Sequence, residues 1–272
     1  MFGLNSDPVS ISYYLKWQNK CSVRIALVSD VHCNDCNSII RMLVRDQPDY
    51  ITICGDLLYA VVKGKSLYES VPNSCQNLRN SERVISFLKK AVKISPVLFS
   101  TGNHELYMDS KDKELLSDLG VILLDNTFCT FDDIVFGGLS SPYSVLAGTG
   151  SVHSKEEHKL RWKMLYDNVE TEWLVDFERQ RGYKIILCHH PEFYEPYLKM
   201  RKGIDLILSG HTHGGQVRFF GNALYAHGQG WFPKYSKGIY DRRLIVSAGL
   251  SNTSRIPRIN NQTELVYVYL TP

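Results

Sequence analysis

Apolar residues fall along the chain in two alternating patterns. Short, nearly continuous, β-rich runs occur at residues 23–28, 50–54, 97–100, 184–188 and 205–208. Between these runs, residues 37–45, 81–92, 111–119 and 155–181 carry apolar side chains at helical spacing. Continuous apolar runs are typical of strands buried on both faces, and helical spacing is typical of helices that cover a sheet. The pattern predicts an α/β protein with a central sheet flanked by helices.

Further apolar runs predict a second sheet. Residues 127–131 and 134–138 flank two aspartates and indicate a hairpin, and residues 243–246 and 265–270 indicate late strands. Residues 58–80 and 220–242 have weak periodicity and are expected to form long loops of the kind that often line a site. We find no repeat and no linker, so a single domain over residues 1–272 is the simplest organisation.

Two aromatic segments allow more than one interpretation. Tyr225, Trp231, Phe232 and Tyr235 lie in the second long loop. We expect them to pack over the second sheet, because large apolar side chains are usually buried. Stacking on a nucleobase and contact with a lipid are the alternatives. The N-terminal segment with Tyr13, Tyr14, Leu15 and Trp17 could contact a membrane, but an edge strand packed on the sheets is the favoured interpretation.

Polar side chains follow five of the buried runs directly. The five clusters are Asp30-Val31-His32, Gly55-Asp56, Gly102-Asn103-His104-Glu105, His189-His190-Pro191 and Gly210-His211-Thr212-His213. Open α/β sheets bind their ligands at the carboxyl ends of the strands, so all five clusters can converge. Each motif alone is weak evidence, but the ordered set of five indicates a functional site.

The chemistry of these side chains indicates a pair of metal sites. Carboxylate, amide oxygen and imidazole ligands suit manganese, iron or zinc. Residues two apart in extended backbone point the same way, so Asp30 and His32 can reach one metal. The turn at His211 and His213 can serve two adjacent metals. Asp56, in the middle of the set, is the expected bridging ligand, and the preceding glycines permit close or strained backbone there.

The ordered set resembles the calcineurin-like metallophosphoesterase superfamily, and residues 214–216 and 232–240 resemble its small bacterial phosphoesterases. The resemblance implies a four-layer α/β/β/α sandwich of two mixed sheets, with the metal site at the carboxyl ends of the strands. It also implies a ligand set. One metal is expected on Asp30, His32, Asp56 and His213, and the other on Asp56, Asn103, His189 and His211. His104 is the expected catalytic acid near the leaving group.

The expected reaction is hydrolysis of a small phosphoester, with a phosphodiester favoured over a monoester. A hydroxide shared by the two metals would attack phosphorus in line. Glu105 and Asp125 are candidates to orient ligand histidines, although a solvated surface role fits either residue equally. His190 cannot point the same way as His189 from extended backbone, and the His-x-Pro register favours His189 as the ligand.

Tyr59 creates a Gly-Asp-x-x-Tyr pattern that resembles purple acid phosphatases, in which the tyrosine binds ferric iron. Those enzymes have glycine at the position of His32, so the coordination position is already filled here. We therefore predict that Tyr59 is not a ligand. A purple charge-transfer colour in the purified protein would contradict this prediction. The sequence also lacks the Asp-Arg-Gly segment of the protein serine/threonine phosphatases, which disfavours that subgroup.

Composition and charge exclude several classes of protein. The chain is 44% hydrophobic and 22% charged, close to the values of globular proteins, which excludes a fibre or a disordered tail. Its net charge is +3 and no block of five like charges occurs, so no stable nucleic-acid partner is expected. No apolar run is longer than the six residues of 57–62, which is too short for a membrane span. We also expect no signal peptide, and a cytoplasmic location.

The seven cysteines are odd in number and scattered. We expect free thiols, with Cys54 and Cys188 in the core and no chemical role for the Cys33-x-x-Cys36 pair, although its spacing also suits a redox or zinc site. His153 and His158 are expected at the surface or in loops, and His227 is left open. The sequence carries no signal for the oligomeric state. Two rival functions are a catalytically silent phosphoesterase-fold scaffold that binds proteins and a metal-dependent nuclease.

Overall fold

Two mixed, six-stranded sheets form the centre of the molecule. The structure is a computed structural model and describes residues 7–19, 21–60, 75–146, 154–226, 229–252 and 257–272. The first sheet has the order β1 (Val9–Lys16), β16 (Glu264–Thr271), β2 (Val23–Val28), β3 (Tyr50–Cys54), β4 (Val97–Ser100) and β5 (Val121–Leu123). The second has the order β14 (Gly238–Tyr240), β15 (Leu244–Val246), β9 (Leu206–Ser209), β8 (Tyr183–Cys188), β7 (Ile134–Leu139) and β6 (Thr127–Phe131).

Helices cover the outer faces of both sheets. They are α1 (Asn37–Asp46), α2 (Glu82–Ala91), α3 (Ser110–Asp118), α4 (Lys155–Asp167) and α5 (Trp173–Arg179). The predicted helical stretch over residues 155–181 is therefore two helices, separated at residues 168–172. Two short hairpins, β10 (Arg218–Phe219) with β11 (Asn222–Ala223) and β12 (Tyr225–Ala226) with β13 (Gly230–Trp231), lie outside the sheets. No helix in the described ranges has the length and apolar character that crossing a bilayer requires.

Alternation along the strands explains the continuous apolar runs. In β2, Ile25 and Leu27 face the core between the two sheets, whereas Ala26 and Val28 face the core beneath α1, α2 and α3. Strand β8 repeats this arrangement, with Leu187 between the sheets and Ile186 beneath α5. Successive side chains of a strand point to opposite faces, so a strand with helices on one side and a sheet on the other is apolar throughout. The four-layer sandwich is confirmed.

Three strands belong to a different sheet from the one that the sequence predicted for them. Residues 265–270 were expected in the second sheet, but β16 lies in the first sheet between β1 and β2. Conversely, β8 and β9 belong to the second sheet and not to the first. A continuous apolar run shows that a strand is buried but carries no information on its partner. The N-terminal edge strand is confirmed, because β1 pairs only with β16 within its sheet.

The carboxyl ends of the parallel strands meet at one place. Strands β2, β3 and β4 run parallel in the first sheet, and β8 and β9 run parallel in the second. The Cys54 thiol at the end of β3 donates to the carbonyl of Leu208 on β9 at 3.0 Å. Side chains that follow these strands are therefore brought together from both sheets.

Candidate metal centre

The polar clusters converge where the strand ends meet. Two buried or half-buried groups of donor atoms each fit within 4.8 Å, namely Asp30 with His32 and His213, and Asp56 with His189 and His211. Asp56 lies between them, because its Oδ2 is 3.7 Å from His32 Nε2 and 3.1 Å from His189 Nε2. Asn103 joins the second group, with its Oδ1 3.2 Å from His189 Nε2. The structure thus brings all seven predicted metal ligands together in two adjacent groups.

The backbone that carries these donors is not extended, contrary to the sequence argument for Asp30 and His32. Asp30, His32, Asp56, His211 and His213 all have φ between 48° and 70°. This left-handed region is uncommon for residues other than glycine. Strained backbone of this kind concentrates at functional sites, where the surrounding structure holds it in place. Asp30 and His32 share a site because the chain turns sharply after β2.

Two glycines allow the chain to approach the donors closely. A Cβ atom on Gly102 would lie 2.2 Å from Asp56 Oδ1, and one on Gly55 would lie 2.5 Å from His189 Nδ1. Gly55 also has a φ of 75°, which a residue with a Cβ rarely adopts. The expectation that these glycines precede crowded ligands is therefore consistent with the geometry.

Hydrogen bonds orient two of the histidines. His32 Nδ1 is 3.1 Å from the carbonyl of Leu58, and His189 Nδ1 is 2.8 Å from the carbonyl of Cys54. A carbonyl only accepts, so in each ring Nδ1 carries a hydrogen and Nε2 faces the centre. His32 Nε2 lies 3.3 Å from His213 Nε2. Nε2 atoms that converge in this way are suited to binding a cation once they are unprotonated.

Charges within the centre keep Asp56 ionised. Burial raises the pKa of Asp56, but the neighbouring His189, His104 and His32 outweigh burial and hold the pKa well below its usual range. Burial also lowers the pKa of His32 and of His213, which favours their neutral, ligating form. For His189, burial lowers the pKa, but the adjacent Asp56 outweighs burial and raises it to about 10. At neutral pH the ionised Asp56 therefore faces a neutral His32 and a protonated His189, and a cation bound at His189 Nε2 would displace that proton.

Several side chains hold the donors without being donors themselves. The Ser29 hydroxyl donates to Asp30 Oδ2, and the His211 backbone N–H donates to both Asp30 oxygens at 3.1 and 3.2 Å. Buried Glu105 accepts the backbone N–H groups of Asp56, Leu58 and Gly102 at 2.9, 3.0 and 2.6 Å. Glu105 thus positions the chain at Asp56 and contacts backbone instead of a histidine ring.

Asp125, the other candidate for orienting a histidine, lies elsewhere. Its Oδ2 is 2.5 Å from Lys113 Nζ at the surface. The surface alternative is therefore correct for Asp125.

His104 lies at the edge of the donor set. Its backbone N–H donates to Asp56 Oδ1 at 2.9 Å, its Nδ1 donates to the carbonyl of Ala60, and its Nε2 lies 3.9 Å from Asp56 Oδ2. The ring is partly exposed, unlike the buried His32 and His189. Tyr59 lies between two of these histidines, with its ring centroid 5.4 Å from that of His32 and 5.1 Å from that of His104. The absence of a ligand role for Tyr59 stays a prediction.

A buried cluster beside His211 has no counterpart in the sequence argument. His190 turns away from Asp56, with Nδ1 3.2 Å from Glu192 Oε1 and Nε2 2.8 Å from the Ser141 hydroxyl. Glu192 Oε1 also lies 3.4 Å from His211 Nε2. A carboxylate beside one ring nitrogen fixes the orientation of a ligating histidine. Glu192 follows His-x-Pro without a motif of its own, so only the structure shows this contact.

Arg258 was also missed at the sequence level. Its Nη2 lies 3.2 Å from His213 Nδ1 and donates to the carbonyls of Ala248 and Ser251 at 2.7 and 2.5 Å. Arg258 lies outside the polar clusters in the sequence, so the sequence offered no reason to place it at the metal centre.

In the described residues, no cysteine belongs to the donor groups. All seven cysteines are free thiols, and burial raises the pKa of Cys33 and of Cys36 to about 12, which makes both thiols unreactive at neutral pH. Cys54 and Cys188 are buried in the core as expected. His153 and His227 lie outside the described residues, as does the side chain of His158.

The expectation for the aromatic loop is wrong for three residues. Tyr235 is buried, but Tyr225, Trp231 and Phe232 are 47%, 73% and 75% exposed. Tyr225 and Trp231 lie in the second short hairpin and Phe232 directly follows it, outside the strands of the two large sheets. Aromatic composition alone does not distinguish a buried ring from an exposed one.

Comparisons with known proteins agree with this centre. The family model for calcineurin-like phosphoesterases matches residues 23–215. The chain therefore belongs to the calcineurin-like phosphoesterase family, and its two adjacent donor groups are consistent with a dimetal site. The match extends from the first strand that carries a ligand to the turn that carries His213.

Individual relatives are distant. A transmembrane protein with metallophosphoesterase domain from Danio rerio is 26% identical over 203 residues, which are 72% of this chain and 41% of that protein. The Bacillus subtilis (strain 168) protein YpbG is 27% identical over 206 residues, which are 75% of this chain and 66% of that protein. A solved structure of a dimetal phosphatase from Danio rerio has a TM-score of 0.46 and 15% identity, and covers 71% of this chain and 82% of its own. The chain spans 41% and 66% of the length of these two curated relatives.

Proposed function

We propose that this chain is a two-metal phosphoesterase that hydrolyses a phosphodiester in preference to a phosphomonoester. The observation that carries the proposal is the position of Asp56, an ionised carboxylate within 3.7 Å of His32 Nε2 and 3.1 Å of His189 Nε2. Both distances are to Asp56 Oδ2, so this oxygen faces both donor groups and Asp56 would belong to both metal sites. In this proposal one unit over residues 1–272 supplies both metal sites, because the donors come from both sheets.

The donor set fits two transition-metal ions. Asp30, His32, Asp56 and His213 would hold one ion, and Asp56, Asn103, His189 and His211 would hold the other. Nitrogen and carboxylate donors of this composition suit manganese, iron or zinc. The Nδ1 bonds of His32 and His189 to backbone carbonyls support the fit, because they turn both Nε2 atoms towards the centre.

When bound, two such cations would lower the pKa of a shared water towards about 7 and neutralise charge on the phosphoryl oxygens. The protein's part is to keep the donors deprotonated and fixed. Glu105 holds the chain at Asp56 through three backbone hydrogen bonds. His104 Nε2 faces the centre while its Nδ1 donates to Ala60, so a protonated Nε2 can donate its proton to the departing oxygen.

The scarcity of basic side chains supports a diester. In the described part of the chain, one basic side chain, Arg258, contacts the donor set, and it already donates to two carbonyls. A monoester carries about −1.5 to −2 charge at pH 7, because its second pKa is about 6. A diester carries a single charge and needs less additional positive charge for binding.

The test compares an aryl phosphodiester with the matching monoester, each with added Mn²⁺. We expect faster hydrolysis of the diester by the unaltered protein. Asp56→Asn should remove bound metal and activity together, by more than the roughly 10–100-fold that residues merely orienting a ligand contribute. Asp125→Asn is the matched control, because it changes a surface carboxylate and should retain both.

Other outcomes would change the assignment. Metal binding with no hydrolysis of either ester would contradict an enzyme and favour a protein-binding scaffold. Faster hydrolysis of the monoester would overturn the diester preference. Cleavage of single-stranded DNA at a higher rate than the aryl diester would favour a nuclease.

A further inference from the structure

Five exposed aromatic side chains lie on or beside the two short hairpins. They are Phe219, Phe220, Tyr225, Trp231 and Phe232, exposed by 60%, 94%, 47%, 73% and 75%. We refer to these five residues as the aromatic surface. The ring centroids of Phe219 and Phe220 are 5.2 Å apart, and those of Tyr225 and Trp231 are 5.6 Å apart. Apolar side chains exposed together mark interaction sites in soluble proteins.

Hydrogen bonds connect the aromatic surface to the metal centre. The Leu224 N–H donates to the Val217 carbonyl beside the first hairpin at 3.0 Å, and the Leu224 carbonyl accepts the Phe232 N–H beside the second hairpin at 2.8 Å, so Leu224 joins the two hairpins. Arg218, at the start of the first hairpin, donates to the Gly214 carbonyl at 2.8 Å, next to His213. A Cβ on Gly215 would lie only 2.1 Å from the Cβ of Ala223 in the first hairpin. The hairpins are therefore packed on the turn that carries a proposed metal ligand.

The segment that carries the aromatic surface contains basic residues and no acidic residue. Residues 206–240 contain Arg218, Lys234 and Lys237 and no aspartate or glutamate. Lys234 and Lys237 pair with Glu195 and Glu264 from other parts of the chain. Arg218 donates to the carbonyls of Gly214 and Gly221 and to the Ser236 hydroxyl, so among its described contacts no carboxylate balances its charge. Positive charge beside exposed aromatic rings complements an anionic surface.

We propose that the aromatic surface inserts into the headgroup region of an anionic lipid bilayer and thereby holds the metal centre close to the bilayer. Aromatic rings are favoured at the boundary between water and lipid, and basic side chains are attracted to anionic headgroups. Phe220 is 94% exposed at the turn of a hairpin. A projecting ring of this kind enters a fluid bilayer without a preformed pocket, whereas a protein partner would need a matching cavity. The proposal does not depend on the hydrolysis proposed above.

The test measures co-sedimentation of the full chain with lipid vesicles, without substrate. We expect binding to phosphatidylcholine vesicles that contain phosphatidylglycerol, and weaker binding to phosphatidylcholine alone or at high salt. The double variant Phe220→Ser/Trp231→Ser should lower the partition coefficient by at least about tenfold, because each buried aromatic ring contributes through apolar area. The control is Leu160→Ser/Met200→Ser, which removes side chains that are 66% and 78% exposed outside the hairpins.

Vesicle binding by the hairpin variant equal to that of the unaltered chain would overturn the proposal, as would equal binding to neutral and anionic vesicles. A dimer that does not bind vesicles, and that the hairpin variant converts to monomers, would assign the surface to a second copy of the chain. Hydrolysis of the soluble aryl diester by both variants shows that they are folded. If the chain hydrolyses no ester at all, unchanged melting temperatures show instead that the variants are folded. The vesicle-binding test is therefore valid even if the proposed hydrolysis is wrong.

Discussion

Five proposed metal ligands occupy left-handed backbone. Such backbone costs about 1–3 kcal/mol at a residue other than glycine. The contacts around Asp30 and Asp56 hold these residues in place through hydrogen bonds from Ser29, His211 and His104. The hydrogen bonds that orient the two carboxylates therefore also hold the strained backbone in place. A bound cation would strengthen this network.

We expect the His104 side chain to donate a proton without binding a metal. Its imidazole is at the edge of the donor set, 3.9 Å from Asp56 Oδ2, and only its backbone N–H makes a short contact with that carboxylate. We expect His104→Ala to lower kcat by about 10²–10⁴-fold, the usual contribution of a general acid. Metal content should not change, because the backbone N–H is retained. Measured loss of the metals from this variant would show that the side chain is a ligand.

The sequence located most side chains that the structure brings together in the two donor groups, because each group member follows a buried strand. Asp30, Asp56, Asn103, His189 and His211 could be located from hydrophobic pattern and strand ends alone. Ser29, Glu192 and Arg258 could not. Serine, glutamate and arginine are ordinary surface residues in most contexts, and only three-dimensional proximity gives them a role here. Left-handed backbone at Asp30 and His32 was also missed, because the turn after β2 has no glycine.

For helices and strands, the sequence predicts where each element lies but not which strand it pairs with. Most strands and helices were located within a few residues, since apolar periodicity depends on local sequence. The partner of each strand depends on distant sequence, which is why β16 was assigned to the wrong sheet. The hairpins β10–β11 and β12–β13 were expected only as a loop, because strands of two residues have no periodicity.

Helix α3 provides a test of electrostatics in one element. Asp109 is its N-cap and accepts the backbone N–H groups of Lys111 and Asp112 at 3.0 and 3.2 Å. A hydrogen bond from Arg79 lowers the pKa of Asp109 to about 2. The unfolded pKa is about 3.9, so the ionised group stabilises the fold above that pH, and this contribution is lost as pH falls through 2.

We expect Asp109→Asn to lower the free energy of unfolding at pH 6, with the difference from the unaltered protein shrinking towards pH 2. Asparagine retains a capping oxygen, so the change reports mainly the charge. Denaturant midpoints in the presence of EDTA would measure it. Asp118→Asn, at the end of the same helix, is the control. A difference that does not vary with pH would exclude the Arg79 contact as its cause.

In the whole molecule, the proposed metals connect the two sheets. Asp30, His32, Asp56 and Asn103 follow strands of the first sheet, and His189, His211 and His213 follow strands of the second. Hydrogen bonds already join the strand ends directly, from Cys54 to Leu208, from His189 to Cys54 and from His211 to Asp30. Cations held by both sets of donors would fasten the sheets at this end.

Removal of metal should therefore lower global stability. At a free Mn²⁺ concentration about 100 times the Kd, binding adds about 2.7 kcal/mol to the free energy of unfolding. For a chain of this size we expect a rise in Tm of roughly 5–10 °C over EDTA-treated protein. Thermal unfolding with and without Mn²⁺ would measure the shift. Asp56→Asn should show a much smaller shift, and an equal shift in that variant would place the stabilising cation elsewhere.

The position of β16 has a consequence for synthesis. This strand, Glu264–Thr271, separates β1 from β2 although about 250 residues lie between β1 and it in sequence. At about 5–20 residues per second, translation leaves roughly 10–50 s between the emergence of the two strands. Throughout that time β1 lacks its partner, and β2 presents an open edge from the moment it emerges, so every donor up to His213 is made before the first sheet is complete. The first sheet can therefore close only after translation has passed residue 271, and the nascent chain must be protected from aggregation until then.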